Sequence, residues 1–419
     1  MAEAALVKKT EHSRSNVITG ILCMVFSGLF FYISMGIKGE ISTFVLTSQR
    51  SGITIAAPDL IIPSDVTLWI ISMVVGVIGL WLLVKGSTRL NLLIALVAVA
   101  IISAFLVWAA TGKSLNLTGM LVSSLIRATP IALAALSGIY SERSGVVNIA
   151  IEGMMLVGAF ASVVVASVTN NMWFGVLGGV LAGMAFGGLH AVLCVKYMVN
   201  QIVSGAGIII LALGLTSYLQ RAVLNVFSEL NQPGPAISAV PIPLLWRIPV
   251  AGPLFFNLSP LIYILFALLI ITHILFNSTR WGLRVRSVGE HPKAADTLGI
   301  NVFKIRYISV LISGAIAGLA GTYMSIGAAG RFNEGMTAGK GFLGLAAMIF
   351  GNWNPGGAFI GALIFGFFDS WQEKLSILQV GIPVDLLGMA PYIATMVVLA
   401  GFVGRSRMPA ADGQPYKKE

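Results

Sequence analysis

The sequence predicts an all-α polytopic membrane protein with about 10–12 transmembrane helices, one of them a short broken or re-entrant helix. Of the 419 residues, 57% are hydrophobic and only 10% are charged, whereas in soluble domains about a quarter of the residues are charged. The mean hydropathy is +0.91, and the chain contains many apolar runs of roughly 20 residues, the length of a helix that crosses a bilayer. Composition therefore excludes a water-soluble globule.

Twelve apolar runs are candidate membrane spans. They are residues 17–36, 66–84, 91–110, 118–140, 148–168, 173–195, 202–219, 258–276, 307–329, 341–351, 356–372 and 386–403. The run at 341–351 is too short for a full crossing, so we expect the broken or re-entrant helix there. The run at 17–36 follows basic residues, as in a signal sequence, but no small-residue cleavage site follows it. It is therefore interpreted as an uncleaved anchor.

Lysine and arginine residues predict the orientation of these spans. With the N-terminus in the cytoplasm, the cytoplasmic segments hold 17 of the 26 lysines and arginines, and the opposite segments hold eight. This bias obeys the positive-inside rule and places both termini in the cytoplasm. It also accounts for the net charge of +10, so we expect membrane lipid, and no nucleic acid, around this chain.

Small residues at every fourth position predict close packing of helices. One stripe comprises Gly175, Gly179, Gly183 and Gly187, a second comprises Gly314, Gly318 and Thr322, and a third comprises Gly357 and Gly361. In lipid, small side chains let helix backbones approach closely. Static packing is the favoured interpretation, with a sliding interface as the alternative.

Charged residues inside the apolar runs are candidate functional residues. Arg127 lies in the middle of a span, where it is either a pathway or gating residue or one half of an ion pair that locks two helices. Both interpretations have equal weight. A second group lies in residues 141–160, where Glu142, Arg143 and Glu152 fall within eleven residues at a predicted cytoplasmic boundary.

Glu152 has two interpretations. If Asn148 caps the helix that follows, Glu152 lies in its first turn, where N–H groups without partners and the helix dipole favour an anion. Arg143 would then offset the charge of Glu152 from the preceding loop. On this favoured interpretation the residues form a clamp that fixes where the helix starts. On the other, they line a solute pathway from the cytoplasmic side.

Motifs for catalysis and nucleotide binding are absent from the sequence. The stretch TGKS at 111–114 resembles the end of a phosphate-binding loop, but position 107, where that motif requires glycine, is valine. The patterns H-E-x-x-H and G-x-S-x-G do not occur, and the four histidines are scattered. We therefore expect no enzyme activity, no cofactor and no metal. Any uphill transport would draw its energy from a partner protein or an ion gradient.

Three motifs resemble permease subunits of bacterial ABC importers for nucleosides, within the wider group that carries ribose, galactose and branched-chain amino acids. SERSGVVNIAIEGMMLVGAF (141–160) is similar to the nucleoside-branch signature, VGEHPKAADTLGINV (288–302) to the cytoplasmic coupling segment, and AGKGFLGLAAMIFGNWNPGGAFIGALIFG (338–366) to the short broken helix and the hairpin after it. The resemblance covers about residues 115–405, the expected permease core. Residues 1–114 would be an N-terminal membrane anchor or extension with three helices, and residues 406–419 a cytoplasmic tail.

The resemblance implies a bacterial inner-membrane permease without a nucleotide site of its own, working by alternating access. Such a permease pairs with a second permease, here expected to differ in sequence, and with an ATP-binding cassette subunit. It receives solute from an extracytoplasmic substrate-binding lipoprotein. The residues implied in coupling to the ATPase are Glu290, Pro292, Ala294, Ala295 and Gly299. Pro292 would start a short helix, Gly299 would end it, and the two alanines would let it lie in a groove of the partner.

Three alternatives stay open. The permease could carry a sugar or a branched-chain amino acid. The chain could be a proton- or sodium-coupled secondary transporter, with Glu152 and Arg127 as coupling groups. A polytopic membrane enzyme is the third alternative, although the sequence contains no clustered catalytic set for it.

Overall fold

A computed structural model of the chain describes residues 2–50, 53–380, 383–389 and 407–418. The described residues form fourteen α-helices. In chain order these are α1 (Ala2–Gly36), α2 (Ser64–Val84), α3 (Leu90–Ala109), α4 (Leu117–Glu142), α5 (Ile151–Thr169), α6 (Met172–Ala191), α7 (Gln201–Leu219), α8 (Pro260–Ser278), α9 (Arg280–Glu290), α10 (Pro292–Thr297), α11 (Val302–Thr322), α12 (Lys340–Phe350), α13 (Pro355–Leu378) and α14 (Val384–Gly388).

Nine helices among the described residues are long and apolar enough to cross a membrane, and α12 is a shorter apolar helix. The all-α polytopic membrane fold is therefore confirmed. The predicted apolar runs from 17–36 to 341–351 all coincide with these ten helices. The run at 356–372 lies within α13, which is not among the nine, and most of the run at 386–403 lies outside the described residues.

Three of the helices end in wider π-helical turns. These turns are Val192–Lys196 after α6, Gln220–Leu224 after α7 and Tyr323–Ala329 after α11. They lengthen the continuous helical segments, so that the third segment spans 28 residues from Val302 to Ala329. A helix of that length is more than sufficient to cross a bilayer of ordinary thickness.

Short β-strands form in segments that the sequence interpretation treats as loops. They are β1 (Ile41–Val45), β2 (Ser48–Arg50), β3 (Ile53–Ile55), β4 (Leu60–Pro63), β5 (Ser114–Asn116), β6 (Val240–Pro241) and β7 (Asn257–Leu258). β1 is the centre of a three-stranded sheet, antiparallel to β4 and parallel to β5. Strands of two to five residues are too short to show the alternation that predicts a strand.

The chain divides into two compact units, residues 1–119 with 373–383, and residues 120–372 with 384–419. In the first unit α1 packs along α2, where Ser27 Oγ donates a hydrogen bond of 2.9 Å to the carbonyl oxygen of Ser72. In the second unit, a large apolar core collects side chains from α4, α5, α8, α11 and α12. The assignment of an extension, a permease core and a cytoplasmic tail stays a prediction.

The glycine stripe on α6 packs directly against the glycine stripe on α11. A methyl group at Gly183 of α6 would lie 2.5 Å from the Cα atom of Gly318 on α11, and one at Gly158 of α5 would lie 2.6 Å from the same atom. The third stripe packs on the turn after α12, where a methyl group at Gly357 would lie 2.7 Å from the Cα atom of Gly351. The three helices α5, α6 and α11 therefore pack backbone against backbone.

Replacing Gly183 by alanine is expected to destabilise the protein. The added methyl group meets backbone atoms of α11 that cannot rotate away, so the helices must separate, at a cost of about 1–3 kcal/mol. The measurement is the thermal unfolding midpoint of the purified protein in detergent. Gly207→Ala on α7 is the matched control, because nothing lies within 4 Å of a methyl group there. Equal midpoints for both variants would contradict the close packing.

Candidate functional site

Glu152, in the first turn of α5, holds the start of α12. Its carboxylate accepts hydrogen bonds from the backbone N–H groups of Gly339 (2.8 Å) and Gly341 (2.6 Å), and the residue is only 7% exposed. α12 has no side-chain cap of its own, because its N-cap residue is Gly339. The start of α12 is half-buried at Gly339 and buried at Gly341. Its first N–H groups need acceptors, and an anion there also complements the helix dipole. Glu152 supplies both.

Glycine at two positions makes this contact possible. Gly339 has a φ of +79°, a left-handed conformation that other residues rarely adopt. At Gly341 a methyl group would lie 2.7 Å from Oε2 of Glu152 and 2.8 Å from its Cα atom. The sequence AGKG at the start of α12 therefore lets the helix backbone approach the first turn of α5.

Glu142 and Arg143 hold the turn that follows α12. Arg143 donates from Nε (3.1 Å) and Nη2 (2.9 Å) to the carbonyl oxygen of Trp353, and the indole Nε1 of Trp353 donates to Oε2 of Glu142 at 2.7 Å. An eleven-residue helix is about 16 Å long. Three side chains from a short stretch of sequence therefore bind both ends of α12. We call Glu142, Arg143 and Glu152 the α12 bracket.

The guanidinium group of Arg143 is half-buried. Partial burial lowers the pKa of Arg143 below its ordinary value, the nearby Arg286 lowers it further, and Glu290 opposes the shift. A guanidinium group stays protonated in proteins, so the bonds to the Trp353 carbonyl oxygen are charge-assisted.

The predicted capping role of Asn148 is wrong. α5 begins at Ile151, its N-cap residue is Ala150, and no side chain caps it. Asn148 lies before a turn and instead donates from Nδ2 to Oγ of Ser313 on α11, at 2.9 Å. The sequence predicts that the clamp fixes the start of α5. Instead, Glu152 binds the start of α12, and Arg143 binds the turn after it. A role of these residues in a solute pathway stays a prediction.

His190, which the sequence predicts to be a packing residue with satisfied hydrogen bonds, and Gln201, which the sequence interpretation missed, anchor the loop before α5. The side chain of Gln201 accepts a 2.6 Å hydrogen bond from the backbone N–H of Val147. His190 places Nε2 3.0 Å from the carbonyl oxygen of Val147 and Nδ1 3.1 Å from Oγ of Ser204. Single polar residues in apolar helices have no spacing pattern that reveals such contacts.

Arg127 forms an ion pair with α13. Its Nη1 lies 4.0 Å from Oδ2 of Asp369, and Nζ of Lys340, the first residue of α12, contacts the same oxygen atom. The three residues connect α4, α12 and α13. This geometry agrees with the ion-pair interpretation of Arg127, while a pathway or gating role stays a prediction.

The coupling segment, residues 288–302, has the predicted helix. α10 starts at Pro292, and Nδ1 of His291 caps it by accepting the N–H of Ala294 at 3.2 Å. Gly299 follows the helix with a φ of +79°, and its N–H donates to the carbonyl oxygen of Asp296. The predicted start and stop of the helix are confirmed. The part of these residues in coupling stays a prediction.

The assignment of Ala295 to the partner-facing surface is wrong. Its side chain is 2% exposed and packs into the core of the second unit, so a partner cannot reach it. Ala294 is exposed, and Leu298, which the sequence interpretation missed, is 80% exposed. Successive helix positions point about 100° apart, and only the packing of α10 decides which of them face outward.

Residues 407–418, which we call the tail segment, pack on the end of α9. The backbone N–H of Ala411 donates to the carbonyl oxygen of Gly289 at 2.8 Å. The N–H of Ala410 donates to Oε2 of Glu290 at 3.3 Å. One residue of the predicted coupling set, Glu290, is therefore engaged by the chain itself.

A buried charged cluster anchors the tail segment. Arg306 of α11 is 1% exposed and donates from Nη1 to the carbonyl oxygen of Gln414 at 2.9 Å. The carboxyl group of Asp412 contacts that of Glu142. Burial raises the pKa of Asp412 from its ordinary 3.8 to about 7, although Arg306 and the N–H of Gly413 oppose the shift.

Substitution of Glu152 should destabilise the protein in a graded way. Glu152→Leu removes both bonds to α12, each worth about 1.5–3 kcal/mol when one partner is charged. Glu152→Gln should have an intermediate effect, because its single carbonyl oxygen accepts one N–H while its amide group opposes the other. Thermal unfolding and the amount of folded protein in membranes are the measurements. Glu229→Leu, at an exposed position, is the control. A Leu variant as stable as the wild type would contradict the capping role.

Docking of the tail segment should weaken as pH rises. Because the pKa of Asp412 in the folded protein, about 7, exceeds its ordinary 3.8, its contribution is complete below about pH 4 and is lost as pH rises through about 7. Hydrogen exchange of residues 407–418, corrected for the intrinsic pH dependence, should therefore show protection that falls between about pH 4 and 7 and is constant above about pH 8. Asp412→Asn should flatten this pH dependence. The same pH dependence in that variant would refute the assignment to Asp412.

Residues 120–404 match the family model described as branched-chain amino acid transport system / permease component. Guanosine ABC transporter permease protein NupQ of Bacillus subtilis is 42% identical over 305 residues, covering 71% of this chain and 95% of the relative. Nucleoside ABC transporter permease protein NupC of Lactococcus lactis is 40% identical, covering 71% and 96%. TsgC13 of Haloferax volcanii, whose name refers to glucose transport, is 33% identical, covering 72% and 98%.

A second permease of Bacillus subtilis also matches the chain, at lower similarity. Guanosine ABC transporter permease protein NupP is 26% identical over 286 residues, covering 66% of this chain and 80% of the relative. No solved structure gives a significant match. The relatives are transporter permeases, and the matched region includes the α12 bracket, the coupling segment and all helices from α5 to α13. On this breadth of agreement, the chain belongs to the permease-component family of branched-chain amino acid transport systems.

Proposed function

We propose that this chain is the membrane permease subunit of an ATP-driven importer for nucleosides and that it works by alternating access. The observation that carries the proposal is the 42% and 40% identity to relatives named for guanosine and nucleosides, over almost their whole length. The relative named for glucose is less similar, at 33%. Nucleosides are therefore favoured over a sugar. The family description mentions branched-chain amino acids, which stay the second alternative.

The proposed partners follow from the class of transporter. An ATP-binding cassette subunit supplies energy, a second permease completes the pathway, and a substrate-binding lipoprotein delivers solute from outside. The two Bacillus subtilis relatives share a transporter name but match this chain at 42% and 26% identity. This difference supports a heterodimer in which the chain takes the NupQ-like position. The bacterial relatives support an inner-membrane location, and the charge bias supports cytoplasmic positions for both termini.

The packing around α10 supports a route by which ATPase movement reaches the membrane helices. α10 is joined directly to α9 and closely to α11. At the end of α9, a methyl group on Gly289 would lie 3.0 Å from the carbonyl carbon of Arg143, so the two backbones touch. Arg143 in turn holds Trp353, in the turn after α12. Because these groups are closely packed, a shift of α10 would displace the α12 bracket.

The ion-coupled alternative has weaker support. Its proposed coupling groups are Glu152 and Arg127, and both have structural partners in the second unit, the start of α12 and Asp369. The relatives named above are ABC transporter permeases, which draw energy from ATP. The membrane-enzyme alternative has no similar support among these relatives.

Leu298→Asp should abolish ATP-dependent nucleoside uptake without affecting folding. Leu298, the residue directly after α10, is 80% exposed, and a charge there should oppose apolar contact with the ATPase subunit. We expect normal membrane levels, at least a tenfold loss of labelled guanosine uptake, and at least tenfold weaker co-purification of a co-expressed ATP-binding cassette subunit, as for a contact worth about 1.4 kcal/mol or more.

Ala295→Glu is the contrasting variant, because it buries a charge in the core and should lower the amount of folded protein instead.

Three outcomes would contradict the proposed function. Wild-type uptake could be lost on adding an uncoupler while cellular ATP is maintained, which would indicate an ion-coupled transporter. Uptake of guanosine could be undetectable while glucose or leucine is transported. The ATPase subunit could fail to bind the wild-type chain.

A further inference from the structure

A cleft of about 560 Å³ lies between the tail segment and the start of α10. One wall contains Glu290, Pro292 and Lys293, and the other contains Lys417 and Lys418. The walls are fixed to each other, because the backbone of the tail segment is hydrogen-bonded to the end of α9. The volume is within the range of pockets that hold a ligand or a short peptide segment.

A second hollow, of about 290 Å³, lies between α9, the residues that follow α10 and the start of α11, and it is also basic. Arg284 and Lys304 are among its lining residues. Residues 280–304 and the tail segment together carry eight lysines and arginines against three acidic residues. The surface around α10 therefore has a surplus of positive charge.

Two of the three acidic residues already have partners within the chain. Glu290 accepts the N–H of Ala410, and Asp296 lies 3.7 Å from Nζ of Lys418. The third, Asp412, is buried, so an approaching partner does not meet it. A partner approaching α10 therefore meets basic side chains whose charge the chain's own carboxylates only partly offset.

We infer that the tail segment and α10 form one docking surface, and that the cleft between them holds an acidic segment of the ATPase subunit. The inference rests on the proposed function. Glu290 and Pro292 belong both to the cleft and to the predicted coupling set, so the cleft is continuous with the expected interface. Leu298, exposed directly after α10, adds an apolar contact. A lipid headgroup would satisfy the charge but would leave Leu298 and the prebuilt cleft unexplained.

The inference assigns the tail segment a direct role in partner binding. The segment supplies Lys417 and Lys418 to one wall of the cleft. The acidic segment of the partner would lie between these side chains and Lys293. Rim charges of this kind mainly raise the association rate and make binding dependent on salt.

The test is charge reversal on both walls, with the double variant Lys293→Glu/Lys417→Glu. Lys418 is left unchanged because it pairs with Asp296. Binding of the purified ATPase subunit to the full-length chain in nanodiscs is measured against salt concentration. We expect about tenfold weaker binding at low salt and a flatter salt dependence. Unfolding midpoint and hydrogen exchange of residues 407–418 should match the wild type. Lys196→Glu, at another exposed lysine, is the control and should bind normally.

The outcomes separate this inference from the proposed function. If the double variant binds the ATPase subunit like the wild type while Leu298→Asp does not, the inference is overturned and the proposed function stands. If the wild type does not bind the subunit at all, the proposed function itself fails. Comparison of nanodiscs made with phosphatidylcholine alone and with added phosphatidylglycerol tests the lipid alternative. A defect that occurs only with the anionic lipid would make a headgroup the occupant and overturn the inference.

Discussion

The second unit depends on one contact, the carboxylate of Glu152 bound by two N–H groups at the start of α12. In surroundings without water, each N–H group left without an acceptor costs several kcal/mol. The start of a short helix has several such groups, and its N-cap residue, Gly339, has no side chain that could accept a hydrogen bond from them. A carboxylate from a neighbouring helix satisfies two of them and neutralises the dipole. Because Glu142 and Arg143 bind the turn after α12, one stretch of chain sets the position of the whole short helix.

Three other polar residues of this apolar unit fix backbone that is not helical. Asn148 bonds to Ser313, and Gln201 and His190 hold Val147. The glycine contacts of α5, α6 and α11 bring these side chains into range by letting the helices touch. The rare charges inside the spans are therefore explained by local hydrogen-bonding needs before any transport role is invoked. We therefore expect substitutions at these positions of the permease to change folding as well as uptake.

The region around α10 differs from the apolar helices in the kind of side chain that it contains. Here many side chains are charged and exposed, and the buried charged groups Arg306 and Asp412 lie where the tail segment is attached. Gly145 leaves space for the guanidinium group of Arg306 and for the carbonyl oxygen of Ala411, which a methyl group would approach to 2.8 and 3.1 Å. The loop of the α12 bracket, α11 and the tail segment therefore meet at one point. Movement of the tail segment or of α10 would therefore displace residues of the α12 bracket.

The sequence by itself determined the fold class, the positions of ten apolar helices and the bounds of α10, because apolar runs, Pro292 and Gly299 act through neighbouring residues. Only the tertiary structure decided what Glu152 binds, since its partners lie 187 and 189 residues away. It also decided that Ala295 is buried while Leu298 is exposed, and that the tail segment covers Glu290. Such contacts depend on how distant helices pack, and no local pattern in an apolar chain encodes them.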